Sequence, residues 1–154
     1  MVRRIVSGGQ TGADRAGLDA ANRIGLPHGG WCPKGRRAEG GRIPTRYRLQ
    51  ETESDGYSAR TQRNVFDSAA TVIFTRGPMT PGSALTEKFA DWHGRPCLHV
   101  DVADPKAEEN LRAWLSGIDG TLNVAGSRES GAPGIGQTVF DLLVRVIPSP
   151  PDID

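Results

Sequence analysis

At 154 residues and a formal net charge of +1, the chain is of a size that builds one core. It lacks the basic excess of a general nucleic-acid binder. No apolar run approaches the roughly 18 residues that span a bilayer. The two arginines near the N-terminus precede no signal-peptide core. Cys32 and Cys97 are too far apart for metal-ligand spacing and suit a reducing compartment. A cytoplasmic protein is expected, with no nucleic-acid or membrane partner. Residues 1–147 should form a single ligand-binding domain and 148–154 a flexible proline-rich tail.

In chain order, Val2 to Val6 reads as a strand, followed at once by the turn Ser7-Gly8-Gly9-Gln10-Thr11-Gly12. Ala13 to Gly25 is a helix with Leu18 and Ala21 facing inward. A short strand is expected within Pro27 to Trp31, then a long irregular stretch, Cys32 to Gly56, rich in Gly, Arg and Pro. Tyr57 to Ala69 reads as helix and Thr71 to Thr75 as a β-branched buried strand. Ser83 to His93 is a helix with Leu85, Phe89 and Trp92 on one stripe, and Trp92 is expected in the core. A strand over Pro96 to Asp101 and a helix over Pro105 to Gly117 follow, the helix turning Leu111, Trp114 and Leu115 inward. Thr121 to Ala125 is a last strand and Gly134 to Ile147 a closing helix. This alternation predicts an α/β fold: a Rossmann-like three-layer αβα arrangement around a mostly parallel sheet of five or six strands.

Three strands run into glycine-rich loops that open helices: Ser7 to Gly12, Thr75 to Ser83, and Ala125 to Gly134. Parallel topology places all three at the carboxyl edge of the sheet, where such folds bind ligands. A helix N-terminus offers outward N–H groups and a favourable dipole, and glycine lets a phosphate approach. The candidate binding residues are therefore Gly8, Gly9, Gln10, Thr11 and Gly12; Arg76, Gly77, Gly82, Ser83 and Thr86; and Ser127, Arg128 and Gly134. A basic segment adds to them. Between Trp31 and Arg48 lie Lys34, Arg36, Arg37, Arg42, Arg46 and Arg48 against the single acid Glu39. A nicotinamide dinucleotide site wants an acid near this point; Lys34, Arg36 and Arg37 suit additional phosphate instead.

Other chemistries find no motif. There is no G-x-x-x-x-G-K-[ST] loop and no G-x-S-x-G elbow, and His28, His93 and His99 show no paired spacing. Trp31 either stacks on a planar ligand ring or covers the sheet edge. Cys32 beside Lys34 is either an activated thiol or an inert one. Asp14 is either a surface acid complementing the helix dipole or an acceptor for a ligand hydroxyl.

Several stretches carry a resemblance. Ser7-Gly8-Gly9-Gln10-Thr11-Gly12-Ala13-Asp14-Arg15 and His28-Gly29-Gly30-Trp31-Cys32-Pro33-Lys34-Gly35-Arg36-Arg37-Ala38-Glu39 are two of them. Thr61-Gln62-Arg63-Asn64-Val65, Gly82-Ser83-Ala84-Leu85-Thr86 and Leu122-Asn123-Val124-Ala125-Gly126-Ser127-Arg128 are others. Together they resemble the putative molybdenum carrier family over nearly the whole chain. The resemblance implies a Rossmann-like fold related, by circular permutation, to lysine-decarboxylase-like and DprA-like nucleotide-binding proteins. It implies a homo-oligomer that binds molybdenum cofactor (molybdopterin) for storage, or for delivery to a molybdoenzyme recipient. The phosphate would lie on the Gly8–Gly12 loop or at the Gly82–Thr86 helix start, with Lys34 to Arg37 lining the anion pocket. The related phosphoribohydrolases carry a P-G-G-x-G-T-x-x-E loop. Here Pro81, Gly82 and Thr86 match that pattern but its glutamate is missing, which favours binding over hydrolysis. Nucleotide sensing and N-glycosidic hydrolysis remain as alternatives, with Asp14, Glu87 and Glu129 as the acids that hydrolysis would draw on.

Overall fold

The computed structural model describes residues 1–151; the last three residues of the expected tail, 152–154, lie outside them. Five strands form one sheet: β1 (Val2–Val6), β2 (His28–Gly29), β7 (Ala70–Thr75), β8 (Cys97–Asp101) and β9 (Gly120–Gly126). Their spatial order is β2-β1-β9-β7-β8, and every pairing is parallel. The chain runs from β1 outward to β2, restarts at β7 and β8 on the other side, and closes by inserting β9 between β1 and β7. All six residues of β7 are buried, as expected for a central strand covered on both faces.

The helices α1 (Ala13–Ile24), α4 (Ala107–Leu115) and α5 (Ile135–Val146) pack together over one face. The main core lies between them and the sheet and includes Ile5, Val72, Phe74, Leu111, Leu122, Val124, Ile135 and Leu143. Helix α1 sits close because its inner face is small. A Cβ on Gly17 would come within 2.7 Å of Val124 Cβ. The helix stops at Gly25, which adopts φ 95° and returns its N–H to Ala21 O. On the other face, α2 (Tyr57–Phe66) and α3 (Pro81–Trp92) pack on each other over a smaller cluster of Val65, Phe89 and Ala90.

Two sequence-based expectations are corrected. Trp92 is not in the core; it is 64% exposed. Helix α3 lies over the β7–β8 side, and its main helical neighbour among the described residues is α2. Phe89 and Ala90 meet the interior, while one flank of the stripe has nothing to bury against. The stretch after Cys32 is not irregular throughout. It contains β3 (Trp31–Cys32), β4 (Arg37–Ala38), β5 (Gly41–Arg42) and β6 (Gln50–Glu51), paired β3 with β6 and β4 with β5. Beneath it lies a separate cluster of Leu18, Cys32, Ala38, Ile43 and Tyr47.

Candidate functional site

The three glycine loops meet at the carboxyl edge of the sheet, but they differ in what their N–H groups do. Residues 7–10 of the first loop are buried, and three of its backbone N–H groups are taken from within the segment. Ser7 Oγ donates to Asp14 O (2.8 Å) and accepts from Gly9 N–H (3.2 Å). Gln10 N–H donates to Asp14 Oδ2 (3.2 Å) and Thr11 N–H to Gln10 Oε1 (3.1 Å). These N–H groups therefore do not point outward to an anion. Gly9 and Gly12 have φ 76° and 78°. Added Cβ atoms would lie 2.6 Å from Leu49 Cδ1 and 2.3 Å from Ser127 O respectively. Both glycines serve the turn and close packing. Gly8 packs under the Arg60 guanidinium, where a Cβ would be 2.1 Å from Nη1. Asp14 is buried, not a surface acid.

The third loop is also occupied by its own acid. The Glu129 carboxylate accepts from Gly134 N–H (2.5 Å) and Gly136 N–H (3.0 Å), capping α5. Ser127 is buried and its carbonyl accepts Ala13 N–H (3.1 Å). Glu39, at the tip of the β4–β5 hairpin, ties the first and third loops together. Its carboxylate accepts from the Thr11 hydroxyl, from Ser130 N–H (3.1 Å) and from Ser130 Oγ (2.5 Å).

The Ser130 and Thr11 hydrogen bonds hold the Glu39 carboxyl below the usual glutamate range. A depressed carboxyl stabilises the fold above its ordinary pKa, and that contribution is lost as pH falls through its folded value. Glu39→Gln is expected to cost about 1 kcal/mol near neutrality. Thermal melts of both proteins should converge on acidification below the ordinary glutamate pKa; a deficit that persists there would assign the contact no electrostatic part.

The second loop differs from both. Thr80 caps α3, its Oγ1 accepting from Ser83 N–H (3.3 Å), Pro81 follows, and the first turn holds no acid. A Cβ on Gly82 would meet nothing within 4 Å, so the space above this N-terminus is open. It forms part of a cavity of about 120 Å³ whose walls include Gln10, Asp14, Tyr57, Arg60, Thr86 and Arg128. Gln10, Asp14, Ser83 and Thr86 are buried at its closed end. Arg60 Nη1 donates to Asp14 Oδ2 (3.2 Å). Burial raises the Asp14 pKa, and Arg60 opposes that shift. Over the Tyr57 ring stand three guanidinium carbons: Arg37 at 4.6 Å, Arg128 at 4.7 Å and Arg60 at 5.6 Å from its centroid.

Of the candidate binding residues and acids singled out in the sequence, Gln10, Asp14, Gly82, Ser83, Thr86 and Arg128 line this cavity, and Arg37 reaches its mouth through Tyr57. The others do not line it. Arg36, buried at φ 57°, donates to the carbonyls of Ile43 (3.0 Å), Pro44 (2.8 Å) and Tyr47 (2.7 Å). It anchors its own segment. Lys34 is exposed. Arg76 donates to Pro133 O (2.8 Å), beside Gly134, and Gly77 N–H donates to Asp101 Oδ1 (3.0 Å). Tyr57 and Arg60 were missed, although their i, i+3 spacing at the start of α2 puts them on one helix face. The Trp31 ring is covered by Arg63, whose guanidinium lies 4.1 Å from its centroid, and Nε1–H donates to Asp67 (2.8 Å). Cys32 is buried and its thiol pKa is pushed up, so it is the inert thiol of the two readings.

A parallel α/β sheet whose carboxyl edge gathers an acid-free helix start and several arginines has the Rossmann-like arrangement, the class of fold in which ligands bind beyond the carboxyl ends of the strands. A model of the circularly permutated YpsA SLOG family matches residues 5–147, and the chain belongs to that family. It is similar to a crystal structure from Syntrophus aciditrophicus SB described as a putative molybdenum carrier protein. The two share 46% identity with a TM-score of 0.88, over 95% of this chain and 96% of the other. No curated protein matches. No described helix is long and apolar enough to cross a membrane.

Proposed function

We propose that the protein binds a phosphorylated heterocycle at the α3 cavity and carries it, with molybdenum cofactor as the cargo. One observation carries the binding site. The only loop of the three whose helix start has no acid of its own opens into a cavity flanked by Arg60 and Arg128, with Arg37 at its mouth. An anion there meets a helix start whose first turn holds no acid, with guanidinium charge beside it. The carrier role and the cofactor follow the description of the similar Syntrophus aciditrophicus protein. In this reading the protein works in the cytoplasm as a homo-oligomer and passes its cargo to a molybdoenzyme. Native mass spectrometry of gently purified protein, followed by air-oxidation assays with added cofactor, tests it. A retained pterin and slowed oxidation are expected. Protein without pterin that gives no protection would end the carrier reading.

Arg37 and Arg128 are both exposed and set the charge of the mouth. Arg37→Ala combined with Arg128→Ala is expected to weaken adenosine 5′-monophosphate binding about tenfold and to flatten its salt dependence. Calorimetry at low and high salt would show this; unchanged affinity would place the anion elsewhere.

Asp14 supports a second reading, nucleotide N-glycosidic hydrolysis. It is a carboxyl in the same cavity whose burial raises its pKa, as general acids require. Glu129 is committed to capping α5 and Glu87 is exposed. Release of free base from nucleoside monophosphates, lost in Asp14→Asn, would favour this reading; bound nucleotide that stays intact would remove it.

A further inference from the structure

We propose that the closed end of the α3 cavity is read by two fixed donors, the Gln10 side-chain amide and Arg60 Nε. Gln10 there selects a terminal oxyanion of the ligand. This rests on the phosphorylated-ligand reading above and goes beyond it by naming which end of the ligand enters and what reads it.

Gln10 is 4% exposed and lines the cavity. Its Oε1 accepts from two backbone amides, Thr11 N–H (3.1 Å) and Glu39 N–H (2.9 Å). Neither of those groups can accept, so the side chain cannot turn over without losing both bonds. Its NH₂ is thereby held in place as a donor, and among the described residues Nε2 has no partner. Arg60 Nε is likewise buried without one, and a guanidinium stays protonated. Two buried donors lacking acceptors are costly. A group that offers several acceptor oxygens and no proton relieves both.

The size of the cavity says which part of a ligand this is. About 120 Å³ compares with roughly 300–1,000 Å³ for pockets that enclose a whole small molecule. The inner wall is buried, whereas Arg37, Ser58 and Arg128 at the mouth are exposed. Such a blind end accepts the terminus of a ligand, a phosphomonoester, and not a diphosphate that continues on both sides. The heterocycle then lies outside, toward Tyr57 and the exposed arginines. Asp14 accepts Gln10 N–H, and the charges acting on Asp14 are Arg60 from α2, Arg128 from the third loop and Arg15 from α1; Glu39 of the hairpin donates its N–H to Gln10 Oε1. The first turn of α3 brings no acid. Burial raises the Asp14 pKa and Arg60 opposes that shift; an arriving anion acts in the same direction as burial.

Calorimetry with inorganic phosphate, adenosine 5′-monophosphate and NAD, on wild type and Gln10→Glu at about pH 5.5 and about pH 8, tests this. Phosphate and the monophosphate should bind wild type, and NAD about tenfold or more weakly. Gln10→Glu places a carboxylate against the oxyanion while retaining an acceptor for Thr11 and Glu39. It should lose about tenfold or more in phosphate affinity at the higher pH and regain part of it at the lower, as the new carboxyl protonates. Wild-type affinity in Gln10→Glu at the higher pH, or NAD binding equal to the monophosphate, overturns this inference and leaves the binding reading standing. Wild type that binds none of the three probes overturns both. Should the variant not fold, the side-chain amide resonances of Gln10 in wild type carry the test. Saturating phosphate must shift them, and unshifted resonances overturn the inference.

Discussion

Arg60→Met is expected to lower stability by about 3 kcal/mol near neutral pH and to reduce the melting temperature by about 6–12 °C. Arg60 and Asp14 are a buried pair, with side chains 13% and 4% exposed and 3.2 Å between Nη1 and Oδ2. Removing the cation leaves a carboxyl that burial already disfavours in its charged form. The direction with pH follows. A carboxyl whose folded pKa lies above its unfolded value binds more protons when folded, so stability falls as pH rises through that interval. Without Arg60 the folded pKa of Asp14 rises further. The deficit of the variant should therefore be smaller at mildly acidic pH than at alkaline pH. Adding Asp14→Asn should restore part of the loss, since the buried charge is gone. Thermal melts across that range check both points. A deficit that grows on acidification would show that Arg60 serves packing and not Asp14. Phosphate binding should fall in the same variant, because Arg60 lines the cavity and brings its charge there.

Gly12→Ala is expected to destabilise the protein by about 3 kcal/mol or more, without any direct role in ligand contact. Gly12 sits at φ 78°, ψ −128°, a region closed to residues with a Cβ. The added atom would also lie 2.3 Å from Ser127 O and 2.8 Å from Glu129 N. Both are backbone atoms of the neighbouring loop, so nothing flexible can give way. Gly82→Ala is the matched comparison: its site is open and its φ is not in the left-handed region. It should melt within about 2 °C of wild type. Equal melting of the two variants would mean that the first loop tolerates a shift that its packing forbids.

The two glycines look alike in the sequence, each at a loop-to-helix junction: Gly12 just before α1 and Gly82 in the first turn of α3. What separates their loops is a nearby acid. Asp14 follows the first loop and takes Gln10 N–H; Glu129 lies within the third and takes Gly134 and Gly136 N–H. The stretch Thr75 to Ser83 contains no acid at all. That absence was readable, and among the three loops it marks the helix start with no acid of its own. Counting basic residues was less informative. Arg36 and Lys34 belong to the same run as Arg37, yet Arg36 spends its guanidinium on three carbonyls of its own segment. Of that run, Arg37 is the one that reaches Tyr57 among the described residues.

The layered parallel architecture, the strand-to-helix order and the meeting of three glycine loops at one sheet edge were determined by the sequence alone. Hydrophobic period and strand–helix alternation are local signals, and parallel pairing follows from them. The tertiary structure decided three further things. It formed two-residue strands over 31–51, too short to leave any period and held by a cluster brought together from Leu18 to Tyr47. It left Trp92 at the surface, because a stripe is buried only where a neighbouring element covers it. It also turned Gln10, Asp14, Arg60 and Arg128 toward one cavity. Those residues come from three separate segments of the chain, and each carries donors or charge whose partners are set by distance in space, not by spacing along the sequence.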